Sequence, residues 1–559
     1  MSWIALALSC KAPPPPSAPR TLEIAAINDF HGALYETPSS EPGRAAGGLP
    51  WLVAAMRALR QDHPELLVLD GGDVFQGSWP VNQSHGLAAV EAMNLLGLDA
   101  SAVGNHEFDY GPGADPESGL RGAFEAAARE ADFAWLSANV RTQDGERWAP
   151  RGVAATKVID RAGVRVGIIG LTTRDTPMTT RGSSVADLSF GSVVDAVREV
   201  LPDLEREGAE VIIVVGHLTG KCETTGFTEV DPNCRPDGEI GELLTQLEPG
   251  TIDAMVLGHA HTFLQGRVDD TFLLEQRDKG RVIGRATLVV GADGVEPDHS
   301  TVGPAWLLEH PRVDPGCTAA PFPLEPILVG DRLLRPADDA VALVRSWEAK
   351  AGTLCAEVGC ASRYLGRSRE KGSEVGNLVT DAMRAILPKA QVALTNSGGL
   401  RDDVRPGTVR AEDLQKVMPF DNRMLLVEMT GANLLMTLRI GSSGAHGVLQ
   451  VSGATYGYDP AKAGGSDLDG DGQVATWEND RMCGATVDGR PIDPAATYRV
   501  ALTDFLWNGG DHLDVALKGA KLVEEGPLLR DALIAWAPTH AGCFGEAEPI
   551  QRIIVGPCP

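Results

Sequence analysis

With 559 residues, 43% of them hydrophobic and 22% charged, the chain has the make-up of a soluble globular protein and is too long for one ordinary domain. Its formal net charge of −27 repels polyanions, so nucleic acid and anionic membrane surfaces are excluded as partners, and an anionic substrate must be captured by local cations. The only long apolar run, at the start, falls far short of the roughly 20 residues needed to span a bilayer.

The first 20 residues, "MSWIALALSCKAPPPPSAPR", are an apolar run, Leu-Ser-Cys and a Pro-rich tether. They resemble a bacterial lipoprotein signal with Cys10 as the acylated residue, which implies export and a membrane link only through that lipid. From Thr21 to about Val290, apolar runs such as "LEIAAIND", "LLVLDGGD", "VRVGIIGL", "VIIVVGH" and "IDAMVLGH" alternate with helical patterns such as "GLPWLVAAMRALRQ", "GLAAVEAMNLLG" and "SVVDAVREVLPDLERE". This alternation predicts a layered α/β domain with buried sheets, taken as residues 21–325. The Pro-rich "HPRVDPGCTAAPFPLEP" reads as a linker, and "PADDAVALVRSWEAKAG" as one helix within a connecting stretch, 326–353. A hinge is expected from Pro336 to Ala351, and a second, smaller mixed α/β domain from 354 to 559. Cys10 apart, eight cysteines remain, an even number that suits an oxidising compartment; Cys222–Cys234 and Cys355–Cys360 are the local pairings expected. No Cys-x-x-Cys occurs, which argues against a zinc cluster.

Five of the apolar runs end in the same chemistry. "LEIAAIND" leads to Asp29 and His31, "LLVLDGGD" to Asp73, "SAVGNHEFD" to Asn105, His106 and Asp109, "VIIVVGH" to His217, and "IDAMVLGHAHT" to His259 and His261. Turn chemistry explains Asp, Asn and Gly at such places but not a histidine at four of the five. Strand ends are where α/β sheets hold ligands, and carboxylate, imidazole and amide oxygen together suit Zn²⁺, Mn²⁺, Fe or Co²⁺. Two such ions about 3.5–4 Å apart can clamp a phosphoryl group.

In order and spacing, "NDFHG", "GGDVFQGS", "GNHEFD", "GH" and "GHAHT" resemble the calcineurin-like metallophosphoesterases. The resemblance implies a two-sheet layered fold with Asp29, His31, Asp73 and His261 around one metal. It puts bridging Asp73, Asn105, His217 and His259 around a second. His106 is then left to assist the leaving oxygen, oriented by Asp109. "SEVGNLVTDAMR", "LTNSGGLRDD", "VMPFDNRM" and "TDFLWNGGDH" look like the 5′-nucleotidase C-terminal domain. Together the two halves resemble the secreted 5′-nucleotidase and UDP-sugar hydrolase family, located in the periplasm or on the cell surface.

That resemblance implies a nucleobase between Phe420 and Phe505, ribose on Asp511, phosphate on Arg369 and Arg401, and Asn396 and Asn422 lining the pocket. Arg367 and Lys371 lie near enough in "RSREKGSEVGNL" to rival Arg369. The activity implied is removal of the 5′-phosphate of nucleotides, with 2′,3′-cyclic phosphodiesterase and UDP-sugar hydrolase as related activities. The alternatives are a thiosulfohydrolase of the same superfamily and a nucleotide-binding surface lipoprotein without turnover. Finally, "DLDGDGQVATWE", inside an insertion at 464–482, has the spacing of an EF-hand loop. Asp467, Asp469, Asp471, the Gln473 carbonyl and Glu478 stand at the calcium-ligand positions, with Gly472 at the sharp turn.

Overall fold

The computed structural model describes residues 19–38, 43–113, 115–221, 235–292, 294–311, 326–351, 354–547 and 550–558. Cys10 with its tether and the Cys222–Cys234 pairing lie outside them.

The apolar runs form strands. β1 (Arg20–Ile27), β2 (Leu67–Asp70), β3 (Ala100–Ala102) and β4 (Ala134–Leu136) lie side by side and parallel, with α1 (Leu49–Asp62) and α2 (Leu87–Leu96) in the connections. A second sheet follows from β5 (Thr156–Arg161), β6 (Val164–Thr172), β7 (Val211–His217), β8 (Ala254–Gly258), β9 (Phe263–Val268) and β10 (Thr271–Gln276). Its order is β9–β10–β8–β7–β6–β5, parallel through the middle and antiparallel at both edges. α3 (Val193–Arg206) joins β6 to β7, and β11 (Val282–Val290) returns to the first sheet, antiparallel to β1.

The two sheets pack face to face. Side chains alternate along a strand, so Leu22, Ile24 and Ala26 of β1 enter the space between sheets with Val166, Ile168, Ile213, Val215 and Val256. Ala25 and Ile27 point the other way, into a core shared with Leu52 and Met56 of α1. On the far side, Val197 and Val200 of α3 cover Ile169 and Val214. The layers are therefore helix, sheet, sheet, helix. Each fully buried Leu, Ile or Val in them contributes about 1.5–3 kcal/mol.

α4 (Asp338–Ala351) is the helix read in the connecting stretch, and it is no free-standing linker. Ala340, Val344 and Trp347 are buried in the same core as α1. Asp339 takes both arms of Arg57 (2.9 and 2.6 Å), and the Trp347 indole donates to Glu91 (2.8 Å).

The second unit is a five-stranded sheet between helices. α5 (Glu374–Ile386), β12 (Val392–Asn396), β13 (Arg423–Thr430), α6 (Gly431–Ile440), β14 (Leu449–Ser452), β15 (Thr497–Thr503) and β16 (Lys521–Leu528) give the strand order β14–β12–β15–β13–β16. Ala393, Leu426 and Ala501 meet Val379 and Met383 of α5 on one face. Leu394, Val427 and Val500 meet Leu434 and Leu438 of α6 on the other.

The expected Cys355–Cys360 pairing is wrong. Cys360 is bonded to Cys543, Cys483 to Cys558, and Cys355 is in a different disulfide. Residues Glu357–Ala361 are extended strand, rising about 3.3 Å per residue, which carries the chain away from Cys355. Phe544 donates to the Cys360 carbonyl (2.7 Å), so the C-terminal segment runs beside Cys360.

Candidate active site

The five predicted strand ends converge. β1 delivers Asp29 and His31, β2 delivers Asp73, β3 delivers Asn105 and His106, β7 ends at His217, and β8 delivers His259 and His261. Asp29, His31, Asp73, His259 and His261 all have positive φ, from 47° to 96°. Non-glycine residues seldom adopt that left-handed region, and the strain persists only where surrounding structure imposes it. The chain is bent back sharply after β1, β2 and β8, and this turns their donors inward.

Two groups of donors form. On one side the ring nitrogens of His31 and His261 face each other at 3.0 Å, and His261 Nε2 lies 3.1 Å from Asp29 Oδ1. On the other, His217 Nε2 lies 3.0 Å from Asp73 Oδ2 and 3.1 Å from Asn105 Oδ1, and His259 Nδ1 is 3.1 Å from the same amide oxygen. Asp73 Oδ2 is also 3.9 Å from His31 Nε2, so Asp73 stands between the groups.

This donor set fits two divalent cations. His31 faces His261 and His217 faces His259 nitrogen to nitrogen at 3.0 and 3.2 Å, so ring nitrogens, carboxylates and an amide oxygen converge on the same small volume. Burial holds His31 and His259 well below the usual imidazole pKa, helped by Arg401 and His217 respectively, so both are neutral donors. Burial works against charge on His217 too, but Asp73 outweighs it and lifts His217 to about 10. A proton is thus held beside Asp73 where a cation would otherwise balance the carboxylates. His217 Nδ1 donates to the Gly71 carbonyl (2.9 Å), which fixes the ring.

His106 is placed differently. Its Nδ1 is 2.6 Å from Asp109 Oδ2, while Nε2 turns toward the centre, 3.8 Å from Asp73 Oδ2. Thr180 Oγ1 donates to the other Asp109 oxygen (2.9 Å), so the carboxylate is held from both ends.

Sequence reading passed over two residues. Glu107, also within "GNHEFD", accepts backbone N–H groups from Asp73 (3.2 Å), Val74 (2.9 Å), Phe75 (3.1 Å) and Gly104 (2.7 Å). One buried carboxylate thereby ties the Asp73 loop to the Asn105–His106 loop. A side chain at Gly104 would run into Asp73. Lys279 is the second: its N–H donates to the Asp29 carbonyl (2.7 Å), and its ammonium faces Asp278, Asp402, Arg367 and Arg401.

The second unit closes over this centre. The Phe420 ring is 5.7 Å from the His106 ring, and the Arg401 guanidinium lies over Phe420 with Nη2 3.3 Å from His31 Nε2. Burial, then Arg369 and Arg367, bring the Arg401 pKa down to about 10, so it remains a cation at neutral pH. Arg367 donates to the Leu400 carbonyl (3.3 Å), next to Arg401, and Arg367, Arg369 and Lys371 are all exposed. Asp511 is hydrogen-bonded to Asn396 and faces His446 and Arg369. Phe505 is half-buried, its ring against Gly510. Asn422 is tied in by its carbonyl, which accepts from Leu529 N (2.8 Å).

Beside the centre, the Asn82 amide donates to the Pro419 carbonyl (2.7 Å) and Gln415 to the Gly77 carbonyl (2.9 Å), while the Arg530 guanidinium lies over Trp79. In the insertion, Asp467, Asp469 and Asp471 form an exposed acidic cluster. Asp467 accepts from Gly470 (2.6 Å) and Gly472 (2.9 Å), Asp471 from Gln473 N (2.7 Å), and buried Glu478 closes on Ala475 N (2.7 Å).

Known proteins share both halves. A family model described as calcineurin-like phosphoesterase matches residues 22–263, and one described as 5′-nucleotidase, C-terminal domain, matches residues 350–518. A cell wall protein of Listeria monocytogenes is 27% identical over 90% of this chain, which spans 65% of that protein's length. Mouse 5′-nucleotidase is 27% identical over 91% of this chain and 86% of its own. The crystal structure of a 5′-nucleotidase precursor from Thermus thermophilus shares the fold, with a TM-score of 0.76 at 24% identity, over 96% of this chain and all of that one. With its converging histidines and carboxylates, the chain belongs to the 5′-nucleotidase family, a calcineurin-like phosphoesterase domain followed by a 5′-nucleotidase C-terminal domain, and is a metal-dependent phosphoric ester hydrolase.

Proposed function

We propose that the protein is an exported nucleotidase that removes the 5′-phosphate of nucleotides, with 2′,3′-cyclic phosphodiesterase or UDP-sugar hydrolase as a side activity. The observation that carries this reading is the meeting of the two units: Phe420 stands 5.7 Å from His106 and Arg401 3.3 Å from His31, so aromatic and cationic groups border the phosphoryl site. Asp29, His31, Asp73 and His261 would hold one divalent ion, and Asp73, Asn105, His217 and His259 the other, drawn from Zn, Mn, Co or Fe. Such a pair supplies Lewis-acid stabilisation of phosphoryl oxygens and activates a water.

The side chains do the rest. Arg401, aided by Arg369, takes phosphate oxygens as a planar fork. Phe420 and Phe505 stack the base, Asp511 takes the ribose hydroxyls, and Asn396 and Asn422 line the pocket. His106, protonated on both nitrogens, gives its Nε2 proton to the departing ribosyl oxygen; Asp109 accepts from Nδ1–H and stabilises the charged ring before the transfer. Phe420, Phe505 and Asp511 favour a nucleoside over the sulfur-carrier substrate of a thiosulfohydrolase. The His106–Asp109 pair favours turnover over binding alone.

Export is supported by Cys360–Cys543 and Cys483–Cys558, since disulfides persist in oxidising compartments; the periplasm or cell surface, with lipidation at Cys10, fits them. Because α4 shares the core of α1, we place the hinge between the units at Ala351, the C-terminal end of the Pro336–Ala351 stretch the sequence suggested. Residues 467–478 are read as a calcium loop: added Ca²⁺ should raise the melting temperature, and Asp467→Asn should abolish the rise. The deciding assay is phosphate release from AMP, UDP-glucose, 2′,3′-cyclic AMP and bis(p-nitrophenyl) phosphate with Mn²⁺ or Co²⁺, with chelator, and with His106→Ala. Metal-dependent release from AMP, lost in the variant, is expected. Turnover of the generic diester but of no nucleotide would overturn the assignment of Phe420, Phe505 and Asp511.

A further inference from the structure

The insertion at 464–482 reaches the nucleoside side of the cleft through a ring stack. Trp477 is buried and lies parallel to His512, with 4.6 Å between centroids and 5° between planes. The His446 ring packs nearby, 5.2 Å from His512. His512 directly follows Asp511, and both residues have left-handed backbone, φ 61° and 56°. Two consecutive non-glycine residues in that region do not hold themselves there; something must fix them.

What fixes them is visible on both sides. One side is the insertion, closed on itself by buried Glu478 and pinned to α6, whose Arg439 donates to Ser466 (3.0 Å) and to the Glu478 carbonyl (3.2 Å). On the other, the Gly510–His512 turn packs against Thr176–Thr179. That segment also receives the Asn105 amide on the Thr179 carbonyl (3.1 Å), and the neighbouring Thr180 holds Asp109. The turn that carries Asp511 is thus gripped between the insertion and the segment that orients the catalytic loop.

We infer that Trp477 is a positioning residue for nucleoside recognition: by stacking on His512 it holds the 511–512 turn so that Asp511 meets the ribose. Trp477 acts through the turn and does not itself touch substrate. The inference rests on the reading of Asp511 as the ribose contact, and the test separates the two.

The experiment compares steady-state kinetics of the metal-loaded full chain on AMP and on p-nitrophenyl phosphate, which has no ribose. Trp477→Ala should raise KM for AMP about 3- to 10-fold, the worth of one aromatic pair. It should leave kcat for AMP and both constants for p-nitrophenyl phosphate unchanged. Trp477→Phe should restore most of the AMP affinity. His512→Asn removes the ring but tolerates left-handed backbone. It should reproduce the KM change, and the double variant should be no worse than either single one. His512→Asn also serves should Trp477→Ala fail to fold. An unchanged KM for AMP in His512→Asn or Trp477→Ala, while Asp511→Ala raises it, overturns the inference alone. An unchanged KM in Asp511→Ala overturns the ribose assignment and this inference with it.

Discussion

Asp109 is held by Thr180 on one oxygen and bonded to His106 on the other, which makes it the residue that sets the proton on the histidine. Asparagine there keeps the size but removes the negative charge and turns an N–H toward Nδ1, so the doubly protonated ring loses its support. We expect Asp109→Asn to lower kcat for AMP by about 10²–10⁴ with little change in KM, as loss of a positioned general acid does. An equal fall in metal content would instead make Asp109 part of the metal scaffold. Lys279 calls for the opposite split. Its ammonium joins Arg367 and Arg401 at the edge of the phosphate site, with burial lowering its pKa. A charge-assisted hydrogen bond is worth about 1.5–3 kcal/mol, so Lys279→Ala should raise KM for AMP roughly 10- to 100-fold and spare kcat. A KM within twofold of wild type would remove Lys279 from the site. The converging histidines and carboxylates were legible in the sequence because they stand at strand ends and break apolar runs. Lys279, one of several charges in "QRDKGR", carries no such signal, and Glu107 hid within a motif whose other members drew the eye. Only folding shows that four backbone N–H groups converge on that glutamate.

Between strands the same logic of backbone satisfaction appears away from the site. Asp253, just before β8, accepts from Ile212 N in β7 (2.7 Å), while its own N–H donates to the Ile212 carbonyl (2.9 Å). Burial lifts its pKa to about 6 despite that hydrogen bond. The folded state therefore binds this proton more tightly than the unfolded chain does. Stability is lost as pH rises from about 4, where the unfolded carboxyl ionises, to about 6, and the loss is complete above that. An asparagine in its place would keep an oxygen for Ile212 and carry no charge. Asp253→Asn should thus stabilise the protein at pH 8 by about 2–3 kcal/mol, at one pKa unit per 1.36 kcal/mol, and hardly at all at pH 4. Thermal melts at the two pH values check it; a gain equal at both would mean that charge burial is not the cause. Elements such as β1 and β7 were readable because continuous apolar runs of that length fit only buried strands. The pairing of Cys360 with Cys543 was not, because it joins residues 183 apart, and local spacing carries no information on where a distant segment returns.

Across the whole molecule the acidic surface and the cationic cleft oppose each other. The chain carries −27 overall, yet Lys279, Arg367, Arg369 and Arg401 gather where an anion must arrive. That convergence depends on contacts between residues more than 300 apart, such as Asn82 with Pro419, which no pattern along the sequence could reveal. The two fields act at different ranges. Repulsion from the distant acidic surface reaches about 30 Å at 10 mM salt but only about 8 Å at 150 mM, whereas attraction by the partly buried Lys279 and Arg401 is screened less. Added salt should therefore weaken the repulsion first. We expect kcat/KM for AMP to rise about 2- to 5-fold as NaCl goes from about 10 to 150 mM, the reverse of the usual loss for an anionic ligand at a basic site. The rise should be steeper for ATP, which meets the same field with more charge. A neutral ligand would feel no such field, so binding of adenosine, measured by calorimetry, should stay flat over the same range. If instead kcat/KM falls steadily from the lowest salt, the cleft cations dominate the approach as well as the bound state, and the acidic surface has no part in substrate capture.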